Sequence, residues 1–200
     1  MRGGAVEQDL FPADVFGGAT PTSPLQFKII SITKSQASEI YSRYHYLSDK
    51  GFLHQFSFGA LFDGILWGAI TYAIPNPRNI KGLYDKDEQA GVLEISRLAF
   101  APNSPKNSCS RMIGISTKLL KQRYPLRILI SYADTAQNHI GTIYKASGFK
   151  YHGLTAKKTD FVDLDGNLVG KIKGAKYSEM DGYWVERSQK HLFSKTFKKQ

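Results

Sequence analysis

One cysteine, Cys109, stands among 200 residues. A lone thiol excludes a disulfide framework and a cysteine-built zinc site, and it fits the reducing cytoplasm of a cell. No apolar run approaches bilayer length, and the opening MRGGAVEQDLFPADVFGG has no apolar stretch of the kind a secretion signal needs. Neither secretion nor a membrane span is expected. Internal repeats and low-complexity stretches are missing too, which sets aside repeat architectures.

Acidic residues are scarce relative to basic ones: 17 Asp and Glu face 27 Lys and Arg, for a formal charge of +10 and a pI near 9.6. Such a surface favours polyanionic partners through counterion release, nucleic acid first among them. The bland alternative is a solvated basic surface. What the chain does have is a hydrophobic fraction of 42% with 12% aromatic residues, enough to bury one domain of ordinary size. The expected organisation is a flexible arm over residues 1–24, a folded domain over 25–153 and a strand-rich basic C-terminal extension over 154–200.

Along the chain, LQFKIISIT reads as a strand and KSQASEIYSRYHYL as a helix with Ala37, Ile40 and Tyr44 on one face. HQFSFGALFDGILWGAITYAI is a strand pair turned at Asp63-Gly64. PNPRNIKGLYDKDEQAG is a polar loop, and VLEISRLAF a strand with Glu94 and Ser96 on one face and Ile95 and Arg97 on the other. A helix starts near Ser108 with Ser and Asn suited to its cap. LRILISYA is the next strand and QNHIGTIYKASG the next helix, stopping at Gly148. FVDLDGNLVGKIKG carries another hairpin signal; its DLDGN lacks the glycine and final glutamate of a calcium loop and reads as a turn. The order predicts an α+β fold with a mixed sheet flanked by helices.

That order resembles the GCN5-related N-acetyltransferase (GNAT) fold, and NHIGTIYKASGF looks like its late helix, where a tyrosine often protonates the thiolate leaving from acetyl-coenzyme A. Tyr144 sits in the matching position. YHYLS, LEISRLAF and SYADTAQNHIGTIYKASGF together are similar to the Mom family of bacteriophage DNA-modification proteins, over about Phe27 to Phe149. The resemblance implies conversion of adenine in double-stranded DNA to N6-carbamoylmethyladenine, an anti-restriction mark made in the host bacterial cytoplasm. It also brings iron, for which His45 and Asp134 are weak candidates, since no dense ligand motif is present. The pyrophosphate loop of the wider fold, a Gln or Arg with two spaced glycines, is replaced here by NSPKNSCSRMIG.

Adenine N6 is a poor nucleophile, so a transferase must orient it and take a proton from it. Asp134, at the end of its strand, is the candidate base; a helix cap or Asx turn is the alternative. Tyr144 is either a proton donor to the leaving group or a core tyrosine. His45, between Tyr44 and Tyr46, is placed to read a flipped adenine, with His139 nearby. Arg97 with Ser96 would bind a donor phosphate or carboxyl, or Arg97 would pair with Glu94. Ser108, Ser110 and Arg111 would hold donor phosphates at a helix start.

Atom counting bears on the donor. A carbamoylmethyl group equals one glycyl residue, nitrogen included, which acetyl transfer alone cannot supply. Glycyl-tRNA is therefore one donor expected and acetyl-coenzyme A, the fold's default, the other, with tRNA a partner in the first case. The competing readings are an ordinary acetyl-coenzyme A-dependent N-acetyltransferase and a non-catalytic nucleic-acid-binding module.

Overall fold

The computed structural model describes residues 19–49, 51–77, 91–169 and 177–198. Most of the expected arm, residues 78–90 of the polar loop, the end of the second hairpin signal and the last two residues lie outside the described residues. No helix among those described is long and apolar enough to cross a membrane.

Strand β1 (Lys28–Ile32) runs into helix α1 (Lys34–Tyr44). Thr33 caps the helix: its side-chain oxygen accepts the Gln36 N–H at 3.2 Å, and Gln36 accepts the Thr33 N–H at 2.9 Å. Ala37, Ile40 and Tyr41 are buried, with Tyr44 half-buried at the helix end. Strands β2 (Phe56–Phe62) and β3 (Ile65–Ala73) pair antiparallel through Asp63 and Gly64, both at positive φ (50° and 76°), as the sequence predicts. There follow β4 (Val92–Phe100), α2 (Ser108–Lys121), β5 (Ile128–Asp134), the short α3 (Thr142–Ala146), β6 (Lys150–Leu154), β7 (Lys158–Val162), β8 (Tyr183–Arg187) and β9 (Lys190–Thr196).

Among the described residues the main sheet has the order β1-β2-β3-β4-β5-β9-β6, with β4 and β5 parallel across the α2 crossover and the other neighbours antiparallel. This is the mixed α+β sheet expected. Residues 190–196, read in sequence as part of an extension, run between β5 and β6, with Phe193 wholly buried. Strands β7 and β8 form a separate ribbon, tied by the Arg187–Asp160 ion pair. The DLDGN segment is a turn, its Asp163 carboxylate accepting the Asn167 N–H at 2.7 Å.

One sheet face packs on α2 and α3 through Tyr72, Leu93, Ile95, Met112, Leu129 and Phe193; the other packs on α1 through Ala37, Ile40, Tyr41, Leu66 and Ala99. The β3–β4 register puts Tyr72 opposite Ile95 and Thr71 opposite Arg97, so Ser96 is an extra residue, a β-bulge. This corrects the face assigned to Arg97. The bulge reverses the alternation, leaving Ile95 on the α2 side and turning Arg97 to the α1 side with Thr71 and Ala99. The late helix is also shorter than expected. Asn138 and Gly141 adopt positive φ (54° and 71°), which breaks the helical path, so a 3-10 turn (Thr135–Gln137) precedes the five residues of α3.

Candidate active site

Strands β4 and β5 are in register from Val92 to Glu94 against Ile128 to Ile130. Past the bulge they part, since an extra residue bends its strand away from a partner. A cleft of about 780 Å³ opens between them, bounded by the segment after α1, the start of α2 and the residues leading into α3. Of the side chains expected from sequence, Asp134, Tyr144, His45, Arg97, Ser96, Ser108, Ser110, Tyr44, Tyr46 and His139 all line this cleft. Arg111 does not; it lines a neighbouring groove along α2 with Lys118, Lys121 and Lys195.

The mouth of the cleft is aromatic. His45 ends α1, its N–H donating to the Tyr41 carbonyl, and its ring stacks on Tyr46 with centroids 4.6 Å apart. Tyr46 meets the His139 ring edge-on at 5.9 Å. The Leu47 N–H donates to His45 Nδ1 at 3.1 Å, so the neutral ring carries its proton on Nε2 and offers a donor there. Burial, then Arg97 and His139, pull the imidazole down to about 4. His45 is therefore neutral through the physiological range, with its Nε2–H available to donate a hydrogen bond. Its ring proton resonances are expected to titrate near pH 4 in an NMR pH series, against the usual value near 6.5. The folded chain then refuses a proton that the unfolded chain accepts, so this site's stability contribution is present above pH 6.5 and lost as pH falls toward 4.

Asp134 closes β5, is buried, and stands opposite Lys190 of β9. Its Oδ1 accepts the Ala136 N–H at 3.0 Å, so the turn-capping alternative is realised. The Tyr46 phenol lies in the field of the same carboxylate: burial and then Asp134 push it up, against Arg97. A carboxylate has lone pairs for the Ala136 N–H and for a further proton.

Ser96 Oγ donates to the Leu53 carbonyl at 2.8 Å, and Arg97 Nη1 to the Ser96 carbonyl at 3.1 Å. Tyr144 reaches the cleft from the α2 side, packed on Phe149 at 5.6 Å and Phe193 at 5.4 Å. Burial pushes its phenol up to about 12, against a smaller opposing influence of the nearby Ser131.

At the start of α2 the serine hydroxyls are turned inward: Ser108 donates to the Pro105 carbonyl at 2.5 Å and Ser110 to that of Asn107 at 3.0 Å. Asn107 itself is left-handed and caps nothing with its side chain. Pro102 and Pro105 in the preceding loop supply no N–H. The loop thus departs from the glycine-spaced pyrophosphate cradle of the wider fold, and the Ser108 and Ser110 hydroxyls are engaged with main-chain carbonyls. The donor set does not fit iron, because no group of three or more His, Cys, Asp or Glu able to hold a metal occurs among the described residues. Burial pushes the Cys109 thiol up to about 11, which removes it as a nucleophile at neutral pH.

Sequence reasoning passed over Glu94, which lines the cleft with Tyr132 and Lys190. Burial raises the Glu94 carboxyl to about 6, against Lys190 and Arg97. Its signal was an acid inside an otherwise half-buried strand.

The fold has counterparts among solved structures. A structure assigned as a phosphinothricin N-acetyltransferase superposes with a TM-score of 0.53 at 10% identity, covering 86% of this chain and 99% of the other. A GNAT family acetyltransferase from Elizabethkingia anophelis with acetyl-CoA bound gives 0.50 at 13% identity over 86% and 99%. The fold is thus that of the GNAT acetyltransferases. In sequence, the methylcarbamoylase Mom of Escherichia phage Mu is 31% identical over 111 residues, which are 54% of this chain and 44% of that relative. The model of the Mom protein family matches residues 26–199, extending past the stretch read in the sequence through β9, and the chain belongs to that family.

Proposed function

We propose that this protein is a DNA-modifying transferase that converts adenine to N6-carbamoylmethyladenine and so shields DNA from restriction. The observation that carries the proposal is the convergence of His45, Tyr46, His139 and Asp134 at one mouth of a cleft opened by the Ser96 bulge. A flipped adenine offers ring nitrogens as acceptors and N6 as a donor. His45 Nε2–H donates to the base edge, the exposed aromatic rings stack on it, and Asp134 accepts the N6 proton. The net charge of +10 supports double-stranded DNA as the substrate.

The donor we favour is a glycyl ester, glycyl-tRNA by class, because the product gains one glycyl residue, which acetyl transfer alone cannot supply, and the loop before α2 lacks the spaced glycines of the coenzyme A cradle. N6 attacks the glycyl carbonyl and loses its proton to Asp134. The ester C–O bond breaks, and the departing ribose oxygen takes a proton from Tyr144, whose high pKa keeps the phenol protonated. The glycine amine then attacks adenine C6, and the C6–N6 bond breaks with the old N6 leaving as the carboxamide. Base and donor thus meet from opposite sides of the parted strands, Asp134 lying on the α1 side and Tyr144 on the α2 side.

Nucleoside mass analysis of DNA from cells expressing the protein tests the function: an adenosine heavier by one glycyl residue supports it, and unmodified DNA with well-folded protein counts against it. Labelled glycine supplied as glycyl-tRNA to purified protein and DNA tests the donor, with label on the DNA as the expected result. Tyr144→Phe is expected to keep the aromatic packing and lower turnover about 100-fold in that assay.

A further inference from the structure

Glu94 is a carboxyl for which this reaction has named no use. It is the last residue of β4 in register with β5, opposite Ile130, so it stands at the apex where the strands part. Among the described residues it makes no hydrogen bond and no ion pair within 4.0 Å. The charged and titratable groups around it are Arg97 on its own strand, Tyr132 on β5, Lys190 on β9 and Tyr144 on α3. Asp134 lies across from Lys190 at the far end of β5.

A carboxylate held in a cleft without a hydrogen-bond partner is costly, and the cost is offset when a cation with N–H donors arrives. We infer that Glu94 receives the α-ammonium group of an aminoacyl donor, making the apex of the cleft a subsite for a primary amine. The inference rests on the aminoacyl reading of the donor. An acetyl group would bring three C–H bonds to this carboxylate and satisfy nothing; an aminoacyl group differs from it by the one substituent a carboxylate recognises. The subsite also serves the second half of the reaction, since the amine must be neutral before it attacks C6. Its proton passes to the Glu94 carboxylate, with no heavy-atom bond made or broken in that step.

The carboxyl titrates at about 6 and an α-amino group near roughly 8. An ion pair therefore forms between those limits and is lost on the acid side as Glu94 is protonated. Two probes test this on the full chain: 3′-deoxyadenosine carrying a 3′-glycylamino group, and its 3′-acetylamino counterpart, which lacks the amine. At pH 7 the glycylamino probe is expected to bind about tenfold more tightly or better in calorimetric titration. That preference should fade below pH 6 and vanish in Glu94→Gln through loss of glycylamino affinity, with the acetylamino probe reporting that the variant's cleft is folded. Equal affinities in the unmodified protein, or a preference that survives Glu94→Gln, would overturn the subsite. Absence of glycine-derived adenine in DNA from cells making the unmodified protein would instead overturn the function on which it rests.

Discussion

DNA from cells making Asp134→Asn should contain 100- to 10,000-fold less modified adenine than DNA from cells making the unmodified protein, the range a lost general base gives. The asparagine substitution separates the two roles of this residue. Its amide oxygen still accepts the Ala136 N–H that Asp134 Oδ1 accepts at 3.0 Å, so the turn into the 3-10 segment is kept. It also keeps the shape of the side chain beside Tyr46, so the aromatic mouth is preserved. What disappears is the capacity to take a proton from N6. Asp134→Ala would remove the cap as well, costing about 1 kcal/mol of stability besides activity. Comparing the two variants in circular dichroism melts and in single-turnover modification assays separates chemistry from folding. If the asparagine variant modified DNA at the unaltered rate, Asp134 would be a turn residue only.

Legibility in sequence followed the range of the interactions concerned. The Asp63-Gly64 hairpin, the helical spacing of α1 and the end of β5 at Asp134 depend on neighbours a few residues away, and each was visible in residue type and spacing. The placement of β9 between β5 and β6 joins residues some sixty positions apart, about 128–134 with 190–196, and no local pattern encodes it. The bulge at Ser96 was hidden for a related reason: an extra residue is defined by its partner strand, and LEISRLAF alternates plausibly without one. That hidden residue turned Arg97 to the α1 side and parted β4 from β5. The motifs of the family resemblance hold eight of the ten expected cleft residues, and the helix start gave Ser108 and Ser110, without showing why they meet. The resemblance passed over Glu94, whose significance lies in the end of the β4–β5 ladder beside it.

Gly141→Ala is expected to destabilise the fold by about 2–5 kcal/mol, from a backbone cost and a steric one. The residue sits at φ +71°, where a Cβ costs about 1–2 kcal/mol. A Cβ built there would also lie 2.2 Å from two carbons of the Phe193 ring, which is wholly buried at the centre of β9. Relieving that overlap by moving a packed ring costs typically about 1–3 kcal/mol. For a chain of this size each kcal/mol lowers Tm by about 2–4 °C, so a thermal melt should show a drop of about 4–20 °C. Phe193→Leu leaves less side chain at the point of overlap and has its own cost in lost packing. If the overlap dominates, the double variant should be more stable than the sum of the single losses predicts, by about 1 kcal/mol or more in a double-mutant cycle. Strict additivity would assign the whole loss to the left-handed backbone. Either way α3 is displaced with Gly141, because that glycine opens the helix carrying Tyr144; modification activity should then fall in Gly141→Ala even below its melting temperature, with Asp134 and His45 still in place.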